Sequence, residues 1–343
     1  IDDGSTDGTG SVAKQLLQEF RGRGFNLHLI VQENKGKAAA LNAALKKARG
    51  EFFACLDADS FADRSAVKLQ VDFFSRNDVD GRLAAVVPIM LAYRPRKIVE
   101  LFQQFEYVMS SFFQRISGTL DTLFVTPGPL SMYRADVLRL IGGFSSETVT
   151  EDQEIGYRLQ SHHYRMKQCS QSFVWTRVPT SWYQLYRQRR RWQFGGLQCL
   201  AKYKRLLFNP SYGDFGLFQI PMNIMFYFLS LTGLVLFAYV NGRTLRDWWR
   251  VLDASGFDIM TLIRNASWHV NVLSMNVFAI VLLSIGLLLS FVTLFFGHDN
   301  ARLKFSLKTI LLFLPFAFTY YVFRAFVLLS LIPKAFQRKA RWW

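Results

Sequence analysis

Two aspartates, Asp57 and Asp59, stand two positions apart in the segment CLDADS, directly after the apolar residues FFA. Two like charges at the end of a strand repel each other unless a cation neutralises them. Carboxylate oxygens are ligands that Mg²⁺ and Mn²⁺ prefer, and such a cation commonly bridges to the phosphates of a substrate. The pair is therefore a candidate metal site, although a capped and solvated turn would explain the same pattern.

Two further clusters have the composition of a nucleotide site. The segment IDDGSTDGTG places Asp2 and Asp3 at a predicted strand end, where carboxylates can accept hydrogen bonds from a nucleobase imide or a ribose. The segment ENKGKAAALN places Lys35 and Lys37 just before a predicted helix, where ammonium charge and free backbone N–H groups both favour phosphate. The structural alternatives are an ordinary helix cap and a solvated basic turn.

The segment TVTEDQEIGYRLQ carries an acidic cluster at a predicted helix start. Thr150 is suited to cap that helix, which makes a structural role plausible for the cluster. In a site that already holds a metal and a diphosphate, Asp152 is also suited to act as a general base toward a sugar hydroxyl.

The segment QRRRW combines an amide, guanidinium groups and an indole at Gln188, Arg191 and Trp192. Arginine suits bidentate contacts to phosphate, and tryptophan offers an apolar platform for a pyranose ring. A basic helix that faces a membrane is the alternative interpretation.

Alternating helices and strands are predicted to position these clusters. Residues 1 to about 130 alternate between the two patterns, which predicts an α/β domain with a mostly parallel sheet. Ligands bind at the carboxyl ends of the strands in such sheets. CLDADS lies at such an end, and DDGS does so if Ile1 is the last residue of a strand that precedes the given sequence. Residues 131–210 are predicted to be more helical and more basic.

Three apolar stretches, about 215–240, 270–297 and 305–332, are each long enough to cross a bilayer. We therefore predict a soluble domain over residues 1–213, with membrane-proximal helices over about 181–207, followed by a transmembrane region over residues 214–343. The turn-rich segment FNPSYGDFG separates the two parts, and the hydrophilic stretch 241–267 is predicted to be a loop.

The basic segments RQRRRW, KYKR and KAFQRKAR flank the apolar stretches, and the formal net charge is +16. Because basic loops favour the cytoplasmic side, we expect a multi-pass plasma-membrane protein whose soluble domain is cytoplasmic. Three crossings would leave the C-terminus outside, whereas the basic tail KAFQRKARWW favours the inside. One stretch is therefore expected to lie in the membrane interface.

A net charge of this size also suits nucleic acid, and WYQLYRQRRRW interleaves aromatic and basic residues that could stack on single-stranded RNA. The carboxylates at the strand ends would repel a polyanion, so no nucleic acid partner is predicted. A non-catalytic, membrane-anchored module that binds nucleotides or RNA remains the alternative of a different class.

The motifs D-D-G-S, N-x-G-K-x-x-A-L-N, D-A-D, T-E-D and Q-x-x-R-W occur in this order ahead of the apolar stretches. In this the chain resembles the processive, inverting family 2 glycosyltransferases, which include cellulose, chitin, hyaluronan and poly-N-acetylglucosamine synthases. The segments TVTEDQE and RQRRRWQFGG are most similar to the last branch. The segment TPGPLSMYRADVLRLIGGF also resembles the acceptor-side segment of the family.

The resemblance implies a GT-A type nucleotide-sugar-binding domain followed by transmembrane helices, and a Mg²⁺ or Mn²⁺ cofactor. It implies that Asp2 or Asp3 contacts the uracil and that Lys37 and Asp57 contact the nucleotide. It also implies that Asp57 and Asp59 bind the metal and that Asp152 is the catalytic base. The residues implied to contact the diphosphate and the acceptor are Glu151, Gln188, Arg191 and Trp192. The strand and nucleotide-binding turn that usually precede D-D-G-S, and N-terminal membrane helices, are not in this sequence.

The implied reaction is transfer of a sugar, N-acetylglucosamine by the finer resemblance, from a UDP-sugar to a growing β-linked polysaccharide, coupled to export. The implied partners are a polysaccharide or lipid-linked acceptor, the membrane and a small accessory membrane subunit. A single transfer to a lipid or polyprenyl phosphate keeps the same chemistry and stays open. No motif distinguishes N-acetylglucosamine from glucose or glucuronate.

Overall fold

The computed structural model describes residues 1–258, residue 260 and residues 277–332. The described chain forms two compact units. The first comprises Ile1–Met222 and also Gly297–Leu303, and the second comprises Asn223–Phe296 and the described residues from Lys304 onward. The first unit contains all of the residues predicted to form the site.

The first unit is built on two sheets. The smaller is a parallel pair of β1 (Asp2–Asp3) and β2 (Val31–Gln32). The larger has five strands in the order β3-β6-β5-β7-β4. Its strands are β3 (Phe52–Ala54), β4 (Ser60–Ala62), β5 (Leu83–Ala92), β6 (Met132–Arg134) and β7 (Arg165–Thr176).

The larger sheet is mixed, and the prediction of a mostly parallel sheet is wrong for it. Strands β5 and β7 run parallel, but β3 with β6, β5 with β6, and β4 with β7 are antiparallel. Apolar runs show where strands lie and carry no information about their direction. The long strand β7 lies in a region predicted to be more helical, because Lys167, Gln168 and Gln171 interrupt its alternation.

Seven α-helices surround these sheets within the described part of the first unit. The predicted helices over VAKQLLQEF and KAAALNAALKKA are confirmed, whereas the predicted strand LHLIV contributes only Val31 to β2. The helices are α1 (Thr9–Gly22), α2 (Lys37–Lys47), α3 (Ala66–Asn77), α4 (Ile98–Thr119), α5 (Ala135–Leu140), α6 (Glu151–Ser161) and α7 (Trp182–Lys202).

The core lies on both faces of β5, which is buried along its length except at Met90. On one face, Ala85 and Val87 pack in a cluster that includes Ile155 and Leu159 of α6. On the other, Leu83 and Val86 pack with Phe74, Met132 and Cys169. The acidic cluster of α6 is thus attached to the most buried part of the domain.

The second unit contains most of the long apolar helices. Helix α8 (Ile220–Ala254) continues from a short π-helical segment, Phe215–Gln219, and is followed by α9 (Val277–Asn300) and α10 (Leu307–Leu329). Within the described residues, three helical segments are long and apolar enough to cross a membrane: Phe215–Ala254, Leu283–Asn300 and Leu307–Leu329.

These segments match the predicted apolar stretches, although positions 270–276 and the basic tail at 334–343 lie outside the described residues. The prediction of a loop over 241–267 is wrong as far as Ala254, because α8 continues to that residue. Leu245, Trp248, Trp249 and Leu252 recur there at helical spacing. On α8, Phe226, Phe228 and Val235 are each exposed by more than half, which suits a helix surrounded by lipid.

Gly156 allows α6 to pack directly on the loop before the T-P-G-P segment. A Cβ at this position would collide with the backbone carbonyl oxygen of Phe124 and lie 3.2 Å from the backbone nitrogen of Val125. We expect Gly156→Ala to lower the free energy of unfolding by about 1–3 kcal/mol, because neither backbone group can move without displacing the helix. The expected fall in the midpoint of thermal unfolding is roughly 2–4 °C for each kcal/mol.

Gly22 is the matched control, because it ends α1 and a Cβ added to it would have nothing within 4 Å. Gly22→Ala is expected to be neutral or slightly stabilising, since alanine favours helix over glycine. Equal unfolding midpoints for the two variants in the detergent-solubilised protein would contradict the close packing at Gly156.

Candidate functional site

Three separate segments meet at the ammonium group of Lys37. Lys37 is the first residue of α2, Asp57 follows β3, and Glu151 is the first residue of α6. The Lys37 Nζ atom lies 2.6 Å from Asp57 Oδ1 and 3.2 Å from Glu151 Oε1. The structure thus brings together residues from three of the predicted motifs, N-x-G-K, D-A-D and T-E-D.

The charge of Lys37 is secured by these neighbours. Burial by itself would lower its pKa, but the negative charges of Glu151 and Asp57 outweigh that effect and raise the pKa well above its ordinary value. The ammonium group therefore stays protonated at every physiological pH. The Lys37 side chain is 41% exposed, so these neighbours do not enclose it completely.

Gly128, in the T-P-G-P segment, borders this ion pair. A Cβ built on Gly128 would lie 2.8 Å from both Asp57 Oδ2 and Lys37 Nζ. Any side chain at this position would displace one of the two charged groups. No sequence pattern singles out this glycine, and only the close approach shows why a residue without a side chain is needed here.

Asp3 fixes the loop that leads into Lys37. Its carboxylate accepts hydrogen bonds from Gln32 Nε2 at 2.7 Å, from the Gly36 backbone N–H at 2.8 Å and from the Lys35 backbone N–H at 3.1 Å. The bond from Gln32, followed by that from Lys35, lowers the pKa of Asp3, so the carboxylate stays ionised. Asp3 thus positions α2, and its contact with a uracil stays a prediction.

Asp2 shapes the turn that follows β1. It is buried, and its Oδ1 atom accepts a hydrogen bond from the Ser5 backbone N–H at 2.9 Å. Gly10 lies beside the carboxylate, where an added Cβ would be 2.8 Å from Oδ2. Asp2 therefore has a local structural role, and its contact with the nucleotide stays a prediction.

Asp59 lies beyond the ion pair on an exposed part of the same loop. Its Oδ1 atom accepts hydrogen bonds from Ser60 Oγ at 3.1 Å and from Thr176 Oγ1 at 3.4 Å. Among the described residues, no group of three or more His, Cys, Asp or Glu side chains is arranged to hold a metal. Two carboxylates nevertheless fit Mg²⁺ or Mn²⁺, which completes its ligands with phosphate oxygens and water. Metal binding by Asp57 and Asp59 stays a prediction.

Asp152 has the electrostatic setting of a general base. Burial, followed by the negative charge of Glu151, raises its pKa to about 6, while the charges of Lys37 and Arg191 act in the opposite direction. Its backbone carbonyl accepts hydrogen bonds from Thr126 N–H and Oγ1 at 3.2 and 2.9 Å. A carboxylate with this pKa is mostly ionised at neutral pH and is basic enough to take a proton, so it suits the task of a general base.

A buried polar cluster holds α6 against α7. Glu154 is fully buried and accepts hydrogen bonds from Lys202 Nζ and Tyr203 OH, each at 2.7 Å, and from Arg158 Nη2 at 2.9 Å. Near the start of α6, Gly195 of α7 faces Thr150 so closely that any Cβ would collide with the threonine side chain. These contacts bring the Q-R-R-R-W helix beside the T-E-D segment.

The Q-R-R-R-W residues have unequal environments. Arg191 is exposed, whereas Gln188 and Trp192 are partly buried, and Trp192 packs on the cluster of Ala92, Tyr107 and Val178. Sequence reasoning missed Arg189, which is only 2% exposed and forms an ion pair with Glu106 of α4. The signal was its spacing, because residues three apart on a helix share a face, as Arg189 and Trp192 do.

The chain has relatives among known sequences. Residues 1–142 match the model of the family described as "Glycosyl transferase family 2". The chain is 28% identical over 206 residues to the poly-beta-1,6-N-acetyl-D-glucosamine synthases of Staphylococcus aureus (strain COL) and Staphylococcus epidermidis. Each match covers 59% of this chain and 48% of the relative, so the chain spans about half the length of these relatives.

The fold has a counterpart among solved structures. The mannosyltransferase PcManGT from Pyrobaculum calidifontis, solved in complex with GDP-Man and Mn²⁺, is similar with a TM-score of 0.57 at 20% identity. The match covers 98% of this chain and 77% of the other. Residues 1–142 are thus similar in sequence to the glycosyl transferase family 2 domain, and the chain has a GT-A fold with a mixed sheet.

Proposed function

We propose that the protein is a membrane-associated glycosyltransferase that transfers a sugar from a UDP-sugar to a hydroxyl of a growing β-linked polysaccharide. N-acetylglucosamine is the first candidate for the donor sugar, because the relatives with 28% identity are named as synthases of its polymer. The proposal includes export of the product across the membrane, because three segments of the described chain are long and apolar enough to cross it.

The observation that carries the proposal is the convergence on Lys37. Its ammonium group contacts Asp57 and Glu151, which come from motifs 20 and 114 positions away in the sequence. Asp152 lies next to Glu151 and its pKa responds to both Lys37 and Arg191. Lys37, the proposed cation for the diphosphate, and Asp152, the proposed base for the hydroxyl proton, are thus close enough to influence each other's charge.

In the proposed reaction, Asp152 takes the proton from the acceptor hydroxyl while the hydroxyl oxygen attacks the anomeric carbon. The new glycosidic bond forms on the face opposite to UDP, whose bond to the sugar breaks, so the configuration inverts. Lys37 and Arg191 stabilise the negative charge that develops on the departing diphosphate. Gln188 and Trp192 hold the acceptor sugar, and Asp2 or Asp3 contacts the uracil.

Asp57 and Asp59 are the residues that would hold Mg²⁺ or Mn²⁺. The ion, when bound, neutralises charge on the diphosphate leaving group. In the described structure, the carboxylate of Asp57 is ion-paired with Lys37. Binding of a nucleotide with its metal would therefore add the charges of the diphosphate and the metal next to this ion pair.

Incubation of the full-length protein in membranes with a panel of UDP-sugars and Mg²⁺ or Mn²⁺ tests the proposal. The expected result is release of UDP that depends on the metal and is fastest with UDP-N-acetylglucosamine. The products are then separated by size. A polymer supports the proposal, a single sugar on a lipid would replace it with the single-transfer reaction, and binding of RNA without UDP release would reject both.

Asp152→Asn is expected to lower the rate of sugar transfer by about 10²–10⁴-fold, because the amide cannot accept the proton of the hydroxyl. UDP affinity, measured by calorimetry, is expected to stay the same, since the side chain keeps its size. The control is Glu19→Gln on the exposed helix α1, which should leave both quantities unchanged. Transfer by the Asp152 variant at the rate of the control would remove Asp152 from this role.

The rate of transfer is expected to fall as the pH drops below about 6, because Asp152 acts as a base only when ionised and burial raises its pKa to that value. Glu151→Gln removes a negative charge that raises this pKa. The acidic limb of the pH–rate profile should therefore move to lower pH in this variant. An acidic limb that stays in place, or moves to higher pH, would contradict the assignment.

A further inference from the structure

The first arginine of the Q-R-R-R-W segment differs from the third in its surroundings. Arg189 is 2% exposed, whereas Arg191 is exposed to solvent. A buried guanidinium group is costly unless charged or polar partners compensate for the loss of water. Its partners therefore indicate what it does.

Glu106 of α4 compensates the charge of Arg189. The Nε and Nη2 atoms of Arg189 both donate to Glu106 Oε2, the former at 3.1 Å. These bonds tie the middle of α7 to the middle of α4. Since the guanidinium group is held by a carboxylate inside the domain, it is unsuited to bind a diphosphate that arrives from solvent.

The Arg189 guanidinium lies over the ring of Trp192. Its central carbon is 4.0 Å from the centroid of the indole ring, and the ring of Tyr107 is 6.0 Å from it. A cation over an indole face is attracted by the quadrupole of the ring, and the attraction increases when water is excluded. Arg189 thus fixes the plane of the indole that is proposed to receive the acceptor sugar.

Arg189 also determines which end of the Gln188 amide can meet a ligand. The Nη1 atom donates to Gln188 Oε1. A guanidinium group has donors only, so the atom of Gln188 that faces it must be the oxygen. The amide nitrogen is then the end of Gln188 that can donate a hydrogen bond to a sugar oxygen of the acceptor.

We propose that Arg189 is a positioning residue: supported by Glu106, it aligns the Trp192 indole and the Gln188 amide for the acceptor sugar, while Arg191 is the arginine that contacts the donor diphosphate. This inference rests on the proposed glycosyl transfer and assigns separate roles to two arginines of one motif.

Arg189→Lys tests the proposal, because lysine keeps the positive charge but loses the planar fork and the flat face. In the full-length protein in membranes, with UDP-N-acetylglucosamine as donor and a β-1,6-linked N-acetylglucosamine oligosaccharide as acceptor, the KM for the acceptor is expected to rise about tenfold. The KM for the donor should stay unchanged. Arg187→Lys, an exposed position on the same helix, is the matched control and should change neither constant.

A second measurement does not depend on activity. The tryptophan fluorescence of Arg189→Lys is compared with that of the unmodified protein. The same comparison is then made with Trp192→Phe present in both proteins. If the guanidinium group contacts the indole, the difference is expected to disappear in the Trp192→Phe background. Glu106→Gln should reproduce the acceptor effect, because it removes the charge that holds Arg189.

The outcomes separate the two proposals. Failure of the unmodified protein to release UDP from any UDP-sugar would reject the proposed function, and the fluorescence measurement would still decide the contact between Arg189 and Trp192. An active protein whose Arg189→Lys variant keeps the acceptor KM would overturn the positioning role. Equal increases in the donor and acceptor KM, with a lower unfolding midpoint, would reduce Arg189 to a residue that only supports the fold.

Discussion

The ion pairs of Lys37 with Asp57 and Glu151 are the interaction on which the site depends. Carboxylates from separate segments would repel one another if they met without a cation, and the repulsion grows as water is excluded. Lys37 supplies that cation, Asp3 holds the loop that presents it, and Gly128 leaves room for the contact. The same ammonium group is the one that we propose contacts the diphosphate.

Buried polar contacts hold in place the helices that carry the remaining site residues. Glu154 ties α6 to the end of α7, and the pair of Arg189 and Glu106 ties the middle of α7 to α4. Such buried charges add little net stability compared with apolar packing, but they allow few alternative arrangements once every partner is in place. By contrast, Arg191 and Asp59 face solvent, where a ligand can reach them.

Much of the architecture follows from local patterns in the sequence. Apolar periodicity located α1 and α2 and the strands β3 and β5. Strand β5 is buried along nearly its whole length, and α2 and β3 bury Ala38, Leu45 and Phe53 in the core, whereas α1 has no buried residue. The same patterns failed at β7, where polar residues interrupt the strand, and at the end of α8, where hydrophilic composition suggested a loop. These patterns also could not predict the direction of the strands, since strand direction depends on the path of the chain between strands.

The sequence by itself determined which chemical groups are present: paired carboxylates after a strand, a lysine before a helix, an acidic helix start and a basic helix with a tryptophan. Their order along the chain was sufficient to predict a nucleotide-sugar site. Only the tertiary structure decided that Lys37 contacts Asp57 and Glu151, that Asp3 is engaged by the loop before Lys37, and that Arg189 is buried while Arg191 is exposed. The reason is physical: distances between segments far apart in sequence are set by packing against the sheet, and burial sets the cost of each charge.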